Sequence, residues 1–201
     1  MLAYPEIPGP AKAPLGRPCI AFCKYDGSNL RFEWGPKQGW HKFGTRTQLF
    51  DTGTPVYGPA IPFFLEHIGP FVESQIRRQR RYRDIGRIVA FAEWFGPNSF
   101  AGKHTEGDPM DLELFDVSLY KRGFMPPREF VDAFWGLSHV ARVVYEGNLN
   151  QSFIDNVRKG VYPVWEGVVA KGDGWMVKIK TEAYLRKLRE VFGGGWQQYG
   201  E

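Results

Sequence analysis

The chain has 201 residues, 43% of them hydrophobic and 16% aromatic, which is enough to bury a core and excludes a disordered polymer. Lys and Arg outnumber Asp and Glu by 26 to 22, a formal charge of +4 that suits a polyanionic partner without requiring one. Cys19 and Cys23 are the only cysteines, with no histidine nearby to complete a metal set. They read as small core residues of a soluble protein in a reducing, intracellular setting, and no apolar run reaches membrane-spanning length.

Residues 1–17 contain Pro5, Pro8, Pro10 and Pro14 and read as an irregular arm. Pro18 to Cys23 is a short apolar run with the character of a buried strand, ending at Lys24. A lysine at the end of a buried strand is costly, because desolvation disfavours its charged form. The Asp26-Gly27-Ser28 that follows is a turn, which delivers the amine to the lip of an apolar region. Leu30 to Trp34 alternates apolar and polar residues, and Trp40 to Phe43 is a further strand. A helix is expected from Ile61 to Ile76, kinked or split at Gly69-Pro70. It ends in Arg77, Arg78, Arg80, Arg81 and Arg83, five arginines in seven positions, either a solvated helix face or a phosphate-tracking patch.

Ile85 to Phe95 is a second apolar run, interrupted by Glu93, and Leu112 to Val117 alternates again. Pro126-Pro127 opens a helix predicted to carry Phe130, Val131, Phe134 and Trp135 on one side. A strand is expected from His139 to Tyr145 and a helix from Asn150 to Lys159, closed by Gly160. Trp165 to Lys171 and Trp175 to Lys180 flank Gly172-Asp173-Gly174 as a hairpin, and Thr181 caps a last helix with Tyr184, Leu185, Leu188 and Phe192 on its apolar face. Strands outnumber helices and do not alternate with them, so the fold class is α+β.

Three of these segments carry charge where apolar residues are expected: Glu93, Glu166, and the pair Lys178 and Lys180, which share a strand face. One such charge is ordinarily a structural ion pair. Together they have a second reading. Converging strands would place Lys178 and Lys180 near Lys24, where like charge lowers a lysine pKa and makes the amine a nucleophile. The same cations suit a triphosphate, and Glu166 suits Mg2+.

In this order the segments resemble the motifs of the covalent nucleotidyltransferases, the ATP-dependent DNA ligases, RNA ligases and mRNA capping enzymes. Lys24-Tyr25-Asp26-Gly27 resembles motif I, Phe91-Ala92-Glu93-Trp94 motif III and Leu114-Phe115-Asp116-Val117 motif IIIa. Glu166-Gly167-Val168-Val169-Ala170-Lys171 resembles motif IV and Lys178-Ile179-Lys180 motif V. The KxDG pattern is weak alone; five motifs in order are not. The resemblance implies a nucleotidyltransferase (ATP-grasp-like) domain of antiparallel sheets flanked by helices. It implies that Lys24 takes AMP from ATP, with Glu93 on the ribose, Phe115 on the adenine, Lys178 and Lys180 on the phosphates, and Glu166 on Mg2+ or Mn2+.

Asn29 stands five residues after Lys24, where DNA ligases and capping enzymes carry arginine. With Gly44-Thr45-Arg46-Thr47, it resembles the RNA ligase 2-type enzymes, which implies nucleotide-contacting roles for Asn29 and Arg46 and RNA ends or an RNA-containing nick as substrate. Only 21 residues follow Lys180. The expectation is a single adenylyltransferase domain over residues 1–201, without a C-terminal OB-fold or helical domain, and a monomer. Arg77, Arg78, Arg80 and Arg81, with Arg186, Lys187 and Arg189 of the last helix, are then the available phosphate contacts. A minimal DNA ligase, a capping-type guanylyltransferase and a degenerate nucleic-acid-binding module are the alternatives.

Overall fold

The computed structural model describes all 201 residues, Met1–Glu201. In chain order the strands and helices are β1 (Pro18–Lys24), β2 (Ser28–Gly35), β3 (Gly39–Gly44), β4 (Leu49–Phe50), α1 (Ala60–His67), α2 (Gly69–Arg78), β5 (Ile88–Phe95) and β6 (Asp111–Leu119). Then come β7 (Gly123–Phe124), α3 (Pro127–Phe134), β8 (Val143–Asn148), α4 (Gln151–Arg158), β9 (Gly167–Gly172), β10 (Trp175–Lys180) and α5 (Glu182–Phe192). The chain divides into two compact units, one formed by Met1–Tyr4 with Gly27–Val140, the other by Pro5–Asp26 with Ala141–Glu201. No helix is long and apolar enough to cross a membrane.

The first unit is built on a six-stranded sheet in the order β4-β3-β2-β5-β6-β7, antiparallel throughout. In β2 the alternation predicted from sequence puts Leu30, Phe32 and Trp34 on one face and Asn29, Arg31 and Glu33 on the other. Phe32 stacks on Phe64 of α1 with ring centroids 3.9 Å apart. Ile61, Phe64, Val72 and Ile76 of α1 and α2 are buried. The two helices are separate, as Gly69-Pro70 led one to expect. Register breaks between β5 and β6: Phe91 faces Asp116 and Ala92 faces Leu114, so Phe115 is the extra residue of a bulge.

The second unit holds a four-stranded antiparallel sheet in the order β10-β9-β1-β8. Its core gathers Ala21, Leu149, Phe153, Val157, Val168, Ala170, Val177 and Ile179. Asn150 caps α4 by accepting from Phe153 N–H at 2.8 Å, and Thr181 caps α5 by accepting from Tyr184 N–H at 3.1 Å. Neither cysteine is in a disulfide; burial pushes Cys19 up to about 11, an inert thiol.

Several expectations need correction. Trp135 does not join Phe130 and Phe134 in the core: it lies past the end of α3 and is 82% exposed. Each helical residue turns about 100°, so the step from Phe134 to Trp135 carries the ring off the buried face. The strand expected from His139 to Tyr145 begins at Val143, with only a single bridge at Val140 before it. The two-residue strands β4 and β7 were not anticipated, nor was the 3-10 turn over Gly193–Tyr199 that follows α5.

Candidate active site

Lys24 is the last residue of β1, and register sets its neighbours. It pairs with Gly167 of β9, which pairs in turn with Lys180 of β10, so the two lysines flank a glycine in one row of the sheet. A Cβ at Gly167 would lie 2.0 Å from Ile179 O and 2.8 Å from Lys180 Cα, both backbone atoms. Glycine is what allows the hairpin to close here.

Glu166, immediately before β9, is 3% exposed and holds both lysines. Its Oε2 accepts from Lys24 Nζ at 2.9 Å and its Oε1 from Lys180 Nζ at 2.7 Å. Lys180 Nζ also donates to Tyr199 O at 2.6 Å and lies 4.7 Å from the centroid of the Tyr184 ring. Lys178 stands one pleat back on the same strand. Burial lowers its pKa, and the charges of Lys180 and Lys24 lower it further, against Glu166 and Glu6. The second unit therefore brings Lys24, Glu166, Lys178 and Lys180 into one electropositive cluster with a carboxylate inside it. Such a cluster attracts a polyanion.

In the first unit Asn29, Glu93 and Glu113 are cross-strand partners in one row over β2, β5 and β6. Glu93 Oε1 accepts from Gly27 N–H at 3.2 Å, tying the turn after Lys24 to β5. A Cβ at Gly27 would lie 2.3 Å from Trp94 O, so only glycine fits against that strand. Asn29 Oδ1 is shut off from solvent without a hydrogen-bond partner. Phe115 leaves β6 at the bulge, where Tyr4 abuts it edge-on at 5.0 Å. Tyr4 also packs on Phe91 and Phe124, and its hydroxyl donates to the buried carboxylate of Asp116 at 2.9 Å. Burial, and then Asp116, push the Tyr4 phenol well above its ordinary value, so it remains a donor.

Arg46 lies exposed in the turn joining β3 to β4, on which Thr45 and Gln48 close. Arg77 is held by Glu73 at 3.0 Å and Arg81 by Glu129 at 2.6 Å, while Arg78 and Arg80 are exposed beside them.

Two groupings escaped the sequence reading. His104 bridges Ser28 Oγ at 2.8 Å and Ser99 Oγ at 2.9 Å, with Gly96 N–H donating to Ser99 Oγ. Burial lowers the His104 pKa, so the ring is neutral at physiological pH. Asp111, Glu113 and His139 form the other. In this second grouping no spacing pattern joins His139 to acids 26 or more positions before it, and the alternation in Asp111-Leu112-Glu113 is its local trace.

The fold is shared with solved structures of ligases. An RNA ligase from Naegleria gruberi, with pyrophosphate, superposes with a TM-score of 0.67 at 17% identity, over 94% of this chain and 58% of that one. An archaeal ATP-dependent RNA ligase gives 0.65 at 16%, over 96% and 52%. A chain from Aquifex aeolicus assigned as an ATP-dependent DNA ligase gives 0.65 at 16%, over 98% and 57%. No protein-family model and no curated protein sequence matches the chain. The chain thus shares its fold with these ligase structures, a likeness the motif resemblance implied. The chain spans between about half and three-fifths of the length of these structures.

Proposed function

We propose that this chain is an ATP-dependent RNA ligase domain working through a lysyl-AMP intermediate. The observation that carries the reading is the Lys24–Glu166–Lys180 ion-pair cluster at the end of β1, on residues drawn from three of the resembled motifs. Lys24 Nζ attacks the α-phosphorus of ATP, a P–N bond forms, and the bond to the β-phosphate breaks with pyrophosphate leaving. Glu166 Oε2, 2.9 Å from Nζ, is placed to take the proton that Lys24 must lose. Lys178 and Lys180 neutralise charge on the phosphates, while Glu93 bonds the ribose and Phe115 stacks on the adenine. Asn29, with its unpartnered buried oxygen, and Arg46 are the remaining nucleotide contacts. The AMP then passes to a 5′-phosphate, and a 3′-hydroxyl displaces it to seal the strand.

A divalent cation fits this donor set on one condition. Glu166 is already paired with two ammonium groups, so a cation joins only with the negative charge of the phosphates. Mg2+ and Mn2+ are held in this way, by one carboxylate together with substrate oxygens. Glu166 would be the holder, and the ion would supply charge neutralisation on the phosphoryl oxygens. One Naegleria ligase variant of the same fold was solved with ATP and Mn, which supports the choice of nucleotide and ion.

RNA is preferred over DNA because Asn29 replaces the arginine expected of DNA ligases and capping enzymes. The Aquifex chain keeps DNA as the second reading. The test is incubation with α-labelled ATP or GTP and Mg2+, then a denaturing gel. Label should survive denaturation with ATP and vanish in Lys24→Ala. Correctly folded protein that takes no label from either nucleotide overturns both readings, and nicked duplexes with RNA or DNA on the 3′-hydroxyl side separate them.

A further inference from the structure

A second chemical centre lies on the outer part of β6, in residues to which the ligase reading gives no role. Asp111 and Glu113 are two apart on the strand, so their side chains leave the same face. β7 pairs with the far end of β6, at Ser118 and Leu119. The edge it leaves is taken by residues 138–140: Leu114 N–H donates to His139 O at 3.1 Å, and Leu114 bridges Val140 in parallel. That short pairing brings His139 alongside the two acids. One imidazole nitrogen and two carboxylate oxygens lie within 4.8 Å of one another, and His139 Nδ1 is 3.2 Å from Asp111 Oδ1. Ligands on a tetrahedral zinc, each about 2.1 Å from the metal, stand about 3.4 Å apart. The three ligand atoms, all within 4.8 Å of one another, thus stand at most about 1.4 Å wider than that spacing.

An independent observation points to something bound there. Glu113 Oε2 is shut off from solvent and has no hydrogen-bond partner. An orphaned, buried carboxylate oxygen is costly unless a ligand satisfies it. The local charge agrees: burial, and then Asp111, push Glu113 up to about 8, with no lysine or arginine acting against them. A cation is what the pair lacks.

We propose that Asp111, Glu113 and His139 form a binding site for a first-row transition-metal dication of the Zn2+ or Mn2+ class. Two carboxylates and one imidazole suit such ions, whereas Mg2+ prefers oxygen donors alone and Cu(I) prefers sulfur. Bound there, the ion clamps the 138–140 segment to β6, two residues before Phe115 and directly across from Glu93. The site does not depend on the ligase reading.

The test uses the full chain without nucleotide, titrated with Co2+ as a visible-absorption reporter and with Zn2+ in a calorimeter, alongside thermal melts. We expect one saturable equivalent, a melting temperature that climbs with Zn2+ concentration, and at least tenfold weaker binding in both Glu113→Gln and His139→Gln. Glu113→Gln keeps the side chain's shape, and a melt of each metal-free variant shows whether it is folded. Neither change touches the lysine cluster, so an ion held by Glu166 leaves affinity the same in wild type and variants. That result, or the absence of saturable binding to the wild type, overturns the proposal.

Discussion

Lys178 shows what a cluster of like charges does to the chain that carries it. Its ammonium is penalised first by burial and then by Lys180 and Lys24, and only partly relieved by Glu166 and Glu6. Its folded pKa therefore lies below the ordinary value of 10.5. Between the folded and unfolded values the unfolded chain binds more protons, so stability rises with pH across that window. Below both values the lysine is charged in both states and the folded state bears the whole penalty. Lys178→Met should accordingly melt at a higher temperature than wild type near neutral pH. The gain should shrink as pH rises through the folded pKa towards about 10.5, where the wild-type lysine discharges as well. Melting curves across that range check it; a gain independent of pH, or a loss, refutes it. If Lys178 contacts phosphate, the stabler variant will also load AMP poorly, the exchange of stability for function expected of such a site.

At the level of elements, the hairpin β9–β10 is where sequence and structure agree most closely. The two runs that flank Gly172-Asp173-Gly174 placed both strands and the turn, with Gly174 at φ 73°. Patterns of this kind are local, so the helix opening at Asn150, the cap Thr181 and the break at Gly69-Pro70 were equally legible. Trp135 and the 138–142 segment were not, because what decides them is whether another element arrives to cover a side chain or pair a backbone. The hidden constraint in the hairpin is Gly167, which reads in sequence as part of a motif and in structure as a point of backbone contact. Gly167→Ala forces a Cβ into Ile179 O and should cost about 3 kcal/mol, the sum of overpacking and a disfavoured φ of 152°. Denaturant titration measures it. A variant within about 0.5 kcal/mol of wild type would show that the strands part freely, contrary to the close packing of β9 on β10.

Across the whole molecule, the sheet orders could not be read from sequence. β1 leaves the first stretch of chain to lie between β8 and β9, more than a hundred residues later, and only that pairing sets Lys24 in a row with Gly167 and Lys180. The five motifs anticipated the outcome without showing the geometry. Charge is the other property that belongs to the molecule as a whole. A net +4 is modest, so on the proposed ligase reading any grip on nucleic acid comes from where the cations stand. Arg77 and Arg81 are already spent on Glu73 and Glu129, whereas Arg78 and Arg80 are exposed at the end of α2 and in the turn after it. With Arg83, also exposed and outside these ion pairs, they are the arginines of the cluster best placed to meet phosphates, and Arg78 and Arg80 are the two to replace first. Each phosphate contact on a duplex contributes about −0.9 to the slope of log affinity against log salt. Replacing both Arg78 and Arg80 by glutamine should flatten that slope by about 2 for a nicked duplex and weaken binding at low salt. It should leave self-labelling with ATP intact, since neither residue belongs to the lysine cluster. Filter binding over a salt series gives the slope. If it does not change, the arginine run is a solvated helix end, and the duplex is gripped elsewhere, with Arg186, Lys187 and Arg189 on α5 the next cations to replace.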